Sequence, residues 1–375
     1  MVAGVVTVVN RSSSRTVTQP EFVPLSFTFF SGTEGFVLGT ITPCDDESGC
    51  LRIQRTTDSG RTWIPDTAIN PPEKTSALRF ANRRDGWADT GRELWSTHDG
   101  GVSWGRTGMV GSAPDRGTSR GSEIIVADDR IQVVRSSRDG DRLELFTSRA
   151  DSDTWALTAA IDTGIRGFAA NSTIETVSSG DTTWVTTRGR TDDTPRISAK
   201  IVGDQWLSWQ PPCQGELATL RASSPTDVVA LCDDVDRTAT GARARRVLMS
   251  NDGGVSFTEG QRTPPAILSA ILGTTPLGVI VLAADGDIHT SFDGGREWTR
   301  TFSLTGRGAR FLGQGSISGD NSPQFVSPTD AFTLETRRTP SDDIHRSETF
   351  QTLLATHDGG RTWATVEFTP DTRRK

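Results

Sequence analysis

One eight-residue pattern recurs along this 375-residue chain and narrows its possible folds more than any other feature. It reads T-T-D-S-G-R-T-W at Thr56 to Trp63, T-H-D-G-G-V-S-W at Thr97 to Trp104 and S-N-D-G-G-V-S-F at Ser250 to Phe257. It returns as S-F-D-G-G-R-E-W at Ser291 to Trp298 and T-H-D-G-G-R-T-W at Thr356 to Trp363. Two weaker copies, ending at Trp155 and Trp209, fill the long gap between the second and the third. The aromatic positions 63, 104, 155, 209, 257, 298 and 363 are then 41 to 65 residues apart, the spacing of a repeat architecture.

Each copy has the local chemistry of a hairpin turn. The Asp accepts hydrogen bonds from backbone N–H groups a few residues on, the Gly residues supply positive φ, and the terminal aromatic opens the next strand. Stretches rich in strand formers precede the turns, as at Leu51 to Thr56, Glu93 to Thr97, Arg246 to Ser250 and Gln351 to Thr356. Further upstream lie two similar inner-strand candidates, F-F-S-G-T-E-G-F at Phe29 to Phe36 and F-A-N-R-R-D-G-W at Phe80 to Trp87. No stretch sustains a 3.6-residue apolar period, so helices should be scarce. A four-stranded sheet buries little alone, whereas seven stacked radially bury both faces of each. The expected fold is therefore all-β, a seven-bladed β-propeller with four-stranded antiparallel blades. Blades are expected at about 21–69, 70–110, 111–160, 161–211, 212–262, 263–303 and 304–368, with a tail at 369–375. Residues 1–20 would form an arm, or a clasp in which Val5 to Val9 adds a strand to the last blade.

These motifs resemble the Asp-box, or BNR, repeat of sialidases, xyloglucan-degrading glycosidases, sortilin-type receptors and photosystem II assembly factors. The resemblance spans about residues 21 to 368 and implies the propeller fold; it says less about activity, because the family holds both enzymes and binding proteins. Asp58, Asp99, Asp252, Asp293 and Asp358 match the Asp-box carboxylates, and Trp63, Trp104, Phe257, Trp298 and Trp363 the closing aromatics. The resemblance implies that they sit in peripheral turns, away from the central channel, and are structural. A sialidase needs a Tyr nucleophile, and this chain contains no Tyr and no R-I-P tripeptide. That chemistry is excluded, although Tyr is missing alongside Lys, which supplies only Lys74, Lys200 and Lys375 of the forty basic residues, a pairing that fits GC-rich codon usage.

A glycosidase working through two carboxylates has candidates in Glu34, Asp85, Asp128, Asp129, Glu216, Asp227 and Asp330. Four of these, Glu34, Asp85, Asp227 and Asp330, recur just before an apolar strand, which is the behaviour of a turn residue. His98 and His357 lie inside the motifs, His289 lies near one, and His345 stands alone, so no ligand set or catalytic triad is legible. No nucleotide fingerprint is present, and the acid runs Asp45 to Glu47 and Asp342 to Asp343 read as solvated loops, so neither cofactor nor metal is expected. A binding role asks less: Arg79, Arg166, Arg221 and Arg310 on inner-strand candidates could line the channel and hold an anionic ligand. The loops Gly313 to Pro323 and Arg337 to Ser347 offer a second place for a partner.

Net charge of −7 and a pI near 5.3 argue against nucleic acid. Cys44 with Cys50 and Cys213 with Cys232 read as two local disulfides, hence an oxidising compartment. The N-terminal stretch is not a convincing signal peptide, so export would rest on a signal absent from this sequence. The apolar window Ala266 to Ala284 is broken by Gly273, Pro276 and Gly278 and reads as two buried strands, so no membrane span is expected. The sum is an exported monomer, a non-catalytic binding or assembly module for a protein or glycan, with a carboxylate-dependent glycoside hydrolase as the alternative.

Overall fold

A computed structural model describes residues 21–42, 50–90, 93–107, 123–127, 129–137, 141–163, 172–189, 196–233, 241–267, 269–303, 309–310, 324–338 and 349–369. These residues form seven antiparallel sheets, each built from consecutive strands, and no helix. Blade 1 runs outward as Glu21–Phe29, Gly35–Thr42, Leu51–Thr56 and Ile64–Asp66. The inner strands of blades 2 to 6 are Ala77–Phe80, Glu123–Ala127, Ser172–Ser179, Glu216–Ala222 and Ser269–Thr274. In blade 7 that place is taken by two short pieces, Ala309–Arg310 and Gln324–Phe325, both paired with Ala331–Arg338. Inner strands of successive blades lie side by side, and blade 7 returns to blade 1. The molecule is a seven-bladed β-propeller. The window from Ala266 to Ala284 holds the first two strands of blade 6, Ser269–Thr274 and Ile280–Ala284, joined by a turn as expected.

The core sits between blades. Ile271, Ile280 and Leu282 of blade 6 pack on Leu231 and Val247 of blade 5, and Ile174, Val185 and Ile201 of blade 4 on Val134, Leu143 and Leu145 of blade 3. Alternation along each strand sends one set of apolar side chains to each neighbour, which is why a blade needs both. At the seam of blades 7 and 1 the packing is aromatic: Phe29 stacks on Phe332 at 4.5 Å, and Trp63 meets Phe332 edge-on at 6.4 Å.

Among the described residues every blade uses its own consecutive strands, and none of them is shared across that seam. The C-terminal segment crosses it instead. Val366 N–H donates to Leu353 O of blade 7, while Thr369 donates through Oγ1 to Trp63 O and accepts at its carbonyl from Gln54 Nε2 of blade 1. Phe368 packs against Phe22 at 4.6 Å and against Trp63. The clasp expected of residues 1–20 lies outside the described residues.

Cys213, in the connection from blade 4 to blade 5, is bonded to the buried Cys232 on strand Val228–Asp233. Cys50, at the start of blade 1's third strand, is also disulfide-bonded, and Cys44 lies outside the described residues.

Candidate functional site

The five full motifs occupy the turns between third and outer strands, at the rim of the disc. In each, the opening Thr or Ser (Thr56, Thr97, Ser250, Ser291, Thr356) donates its hydroxyl to Oδ1 of the motif Asp at 2.7–2.8 Å. The same hydroxyl oxygen accepts from the second Gly N–H at 2.7–2.9 Å. Oδ1 also accepts the backbone N–H four residues on, from Thr62, Ser103, Ser256, Glu297 and Thr362. In four of the turns Oδ2 accepts the hydroxyl of that residue; Glu297 in blade 6 has none to give. These donors stabilise the ionised form. Hydrogen bonds from Ser103 and Thr97 hold the Asp99 carboxyl down to about 2, and Asp252 and Asp293 are lowered by the same kind of donors. For Asp58 and Asp358 burial pushes upward, and the hydrogen bonds outweigh it. Each of these carboxylates accepts at least three such bonds, from groups within its own turn.

The second Gly is required by packing as well as by its positive φ. A Cβ on Gly60 would lie 2.4 Å from the Phe332 ring of blade 7, and one on Gly254 2.8 Å from Trp209 Nε1 of blade 4. Each motif therefore presses its glycine against the preceding blade.

The turns between first and second strands lie on the same face and encircle a channel of about 820 Å³. Its wall is uneven. Phe30 and Phe325 line it from blades 1 and 7, while Thr176, Ser178 and Ser223 give blades 4 and 5 a hydroxyl wall. Arg79 and Arg221 enter from blades 2 and 5, and no Asp or Glu is among the described lining residues. Arg79 Nη1 donates to Phe27 O at 3.0 Å and Leu78 O at 2.6 Å, and Arg221 Nη1 to Leu220 O at 2.7 Å, so backbone carbonyls orient both guanidiniums. Arg166 lies outside the described residues; Arg310 has its backbone in blade 7's inner strand. The loop Gly313 to Pro323 and most of Arg337 to Ser347 are likewise outside them.

The acids that might have formed a hydrolytic pair are held in turns. Ser224 and Ser327 accept the N–H groups two and three residues on and donate to Asp227 and Asp330; Asn82 Oδ1 accepts from Arg84 and Asp85 N–H in the same way. Arg83 grips both oxygens of Glu34 and lowers its carboxyl. Burial raises Asp330, but bonds from Ser327, His357 and Thr329, with Arg61 of blade 1 at 3.3 Å, bring it below the usual range. Asp129 is exposed and 3.8 Å from Arg149, Glu216 is 3.6 Å from Arg196, and Asp128 lies outside the described residues.

Sequence reasoning missed most of the lining, since Thr176 and Ser178 carry no motif. Their one signal is position, in the half of the inner strand Ser172–Ser179 that leads into its turn.

No protein-family model and no curated protein matches the chain. Among solved structures, a GH74 xyloglucanase from Xanthomonas campestris is similar over 93% of this chain and 61% of its own, at 14% identity and a TM-score of 0.48. The polysaccharide lyase Uly1 is similar over 90% of each chain at 10% identity and a TM-score of 0.49. An acylaminoacyl peptidase is similar over 93% of this chain and 52% of its own at 9% identity and a TM-score of 0.50. This chain thus spans under two thirds of the xyloglucanase and about half of the peptidase.

Proposed function

We propose that this chain is an exported binding or assembly module that takes a protein or glycan ligand at the channel mouth, on the face formed by the first-to-second-strand turns. The observation that carries this reading is the described channel wall: rings on one side, hydroxyls on the other, and guanidiniums of Arg79 and Arg221. Such a wall offers apolar contact and hydrogen-bond donors to a carboxylate or a sugar hydroxyl. A two-carboxylate hydrolase needs acids roughly 5–10 Å apart across the cleft. The acids at hand, Glu34, Asp85, Asp227 and Asp330, are engaged by Arg83, His98, Ser224 and His357. The Cys213–Cys232 bond supports an oxidising destination.

The test is to screen immobilised protein against an array of neutral and uronate-containing oligosaccharides and against extended peptides. Retention of one class, reduced at least tenfold by Arg79→Ala with Arg221→Ala and kept by Asp252→Asn, is the expected outcome. Glycan turnover abolished by Glu34→Gln or Asp85→Asn would establish the hydrolase instead.

A further inference from the structure

Two of the motif turns carry His at the same position, and among the described residues only one of them meets a second carboxylate. His357 Nδ1 is 2.7 Å from Asp330 Oδ1, and His98 Nδ1 is 2.9 Å from Asp85 Oδ1, both within their own blades. On its other side His98 Nε2 is buried, without a hydrogen bond, 3.4 Å from Asp153 Oδ2. Asp153 belongs to the outer turn of blade 3, so the imidazole spans the seam between blades 2 and 3. A neutral imidazole has one N–H and would turn a lone pair toward one of the two carboxylates; only the imidazolium donates to both. We infer that His98 is an acid-strengthened staple, joining blade 2 to blade 3 when protonated and releasing Asp153 when neutral.

The surroundings agree in charge. Asp85 faces the ring from the inner turn of blade 2, and Asp153 and Asp151 from blade 3, with Arg149 paired to Asp151. Arg84 donates to the His98 backbone carbonyl, and Ser96 Oγ donates to Asp153 Oδ2 at 2.8 Å, fixing the carboxylate that the ring must meet. Burial pushes the His98 imidazolium toward losing its proton, and Asp85 and Asp153 together outweigh it, so the ring holds its proton above the ordinary histidine range. A value raised in the folded state adds stability that is complete below about pH 6.5 and is lost as pH rises through the folded value. Blades 2 and 3 supply Arg79, Ala81 and Ile124 to the channel, so the staple stiffens one sector of its wall under acid conditions.

Imidazole NMR of the intact chain tests this. The His98 midpoint should lie above that of a free histidine and fall in Asp153→Asn. His98→Gln should lower the melting temperature by about 1–2 °C at pH 5.5 and not at pH 8. Hydrogen exchange at Ala150, whose N–H is bonded to Asp129 O, should quicken in the variant only at the lower pH. A midpoint that Asp153→Asn leaves unmoved would overturn the proposal even if His98→Gln failed to fold, and so would a melting difference of equal size at both pH values.

Discussion

Blades 1, 2, 5, 6 and 7 carry the Asp motif, and blades 3 and 4 do not, yet all seven solve the same problem at the rim. In the five motif blades the first two strands are joined by five residues, such as Phe30 to Glu34 or Val326 to Asp330. In blades 3 and 4 only residues 128–129 and 180–181 stand there. A wide inner turn thus accompanies the Asp motif outside it, and a tight inner turn accompanies an outer turn without one. In every blade a backbone N–H of the outer turn donates to a carbonyl of the inner turn: Ser59 to Thr33, Gly100 to Arg84, Ala150 to Asp129, Gly203 to Asp181, Gly253 to Thr226, Gly294 to Gly278 and Gly359 to Thr329. The invariant element is this backbone bond. The carboxylate is the means of shaping an outer turn long enough to reach a wide inner one.

If so, the motif blades should suffer most from losing their closing aromatic, and blades 3 and 4 from losing other ties. Trp63 is 1% exposed and wedged against Phe29, Phe332 and Phe368, so Trp63→Ala should cost about 3–5 kcal/mol in denaturant unfolding. Trp155, half-buried at the blade 2–3 seam, should cost about half as much. A Trp155→Ala loss equal to that of Trp63→Ala would mean that the two kinds of turn depend equally on their aromatics. Between these two in size is the disulfide at the exit from blade 4. It closes a loop of sequence separation 19, and Cys213→Ser with Cys232→Ser should cost about 3 kcal/mol.

The sequence made the five motif turns legible because every bond in them is local: Thr or Ser, Asp, Gly and the aromatic lie within eight residues and leave a pattern. It also supported reading Glu34, Asp85, Asp227 and Asp330 as turn residues, for the same reason. The weak copies were harder. Ser148, Ala150 and Trp155 keep the place of a motif with its carboxylate gone, and Ser148 Oγ now bonds Ser152 O. Trp209 closes nothing: the outer turn of blade 4 is the tight pair Gly203–Asp204 between strands Ser198–Val202 and Gln205–Ser208, and Trp209 donates through Nε1 to Gly254 O of the next blade. The channel wall was the least legible part, because the residues that meet there are brought from seven distant segments by ring closure alone.

Asp358→Ala, in the motif of blade 7, removes an acceptor from Thr356, Arg361 and Thr362 and should cost about 1–2 kcal/mol. The motif carboxylates also set an acid limit. Their folded values are depressed, so the stability they add is full above the ordinary carboxylate range and disappears as pH falls through the folded values, near 2 for Asp99. A melting curve taken between pH 5 and pH 2 should therefore fall steeply, and Asp358→Ala should flatten the fall.

The smallest effect belongs to the same kind of residue in the other kind of turn. Asp151 lies in the outer turn of blade 3, where its carboxylate pairs with Arg149 at 3.0 Å in the open and accepts no hydroxyl and no N–H from further along the turn. An exposed pair of this sort adds little, because water screens the attraction and two side chains must be held still. Asp151→Ala should leave the melting temperature within experimental error, while Gly203→Pro in blade 4, which deletes the N–H donated to Asp181 and forbids the positive φ of 60°, should not be tolerated. If Asp151→Ala instead matched Asp358→Ala, the carboxylate would be the shared element of all these turns, and the backbone bond a by-product of it.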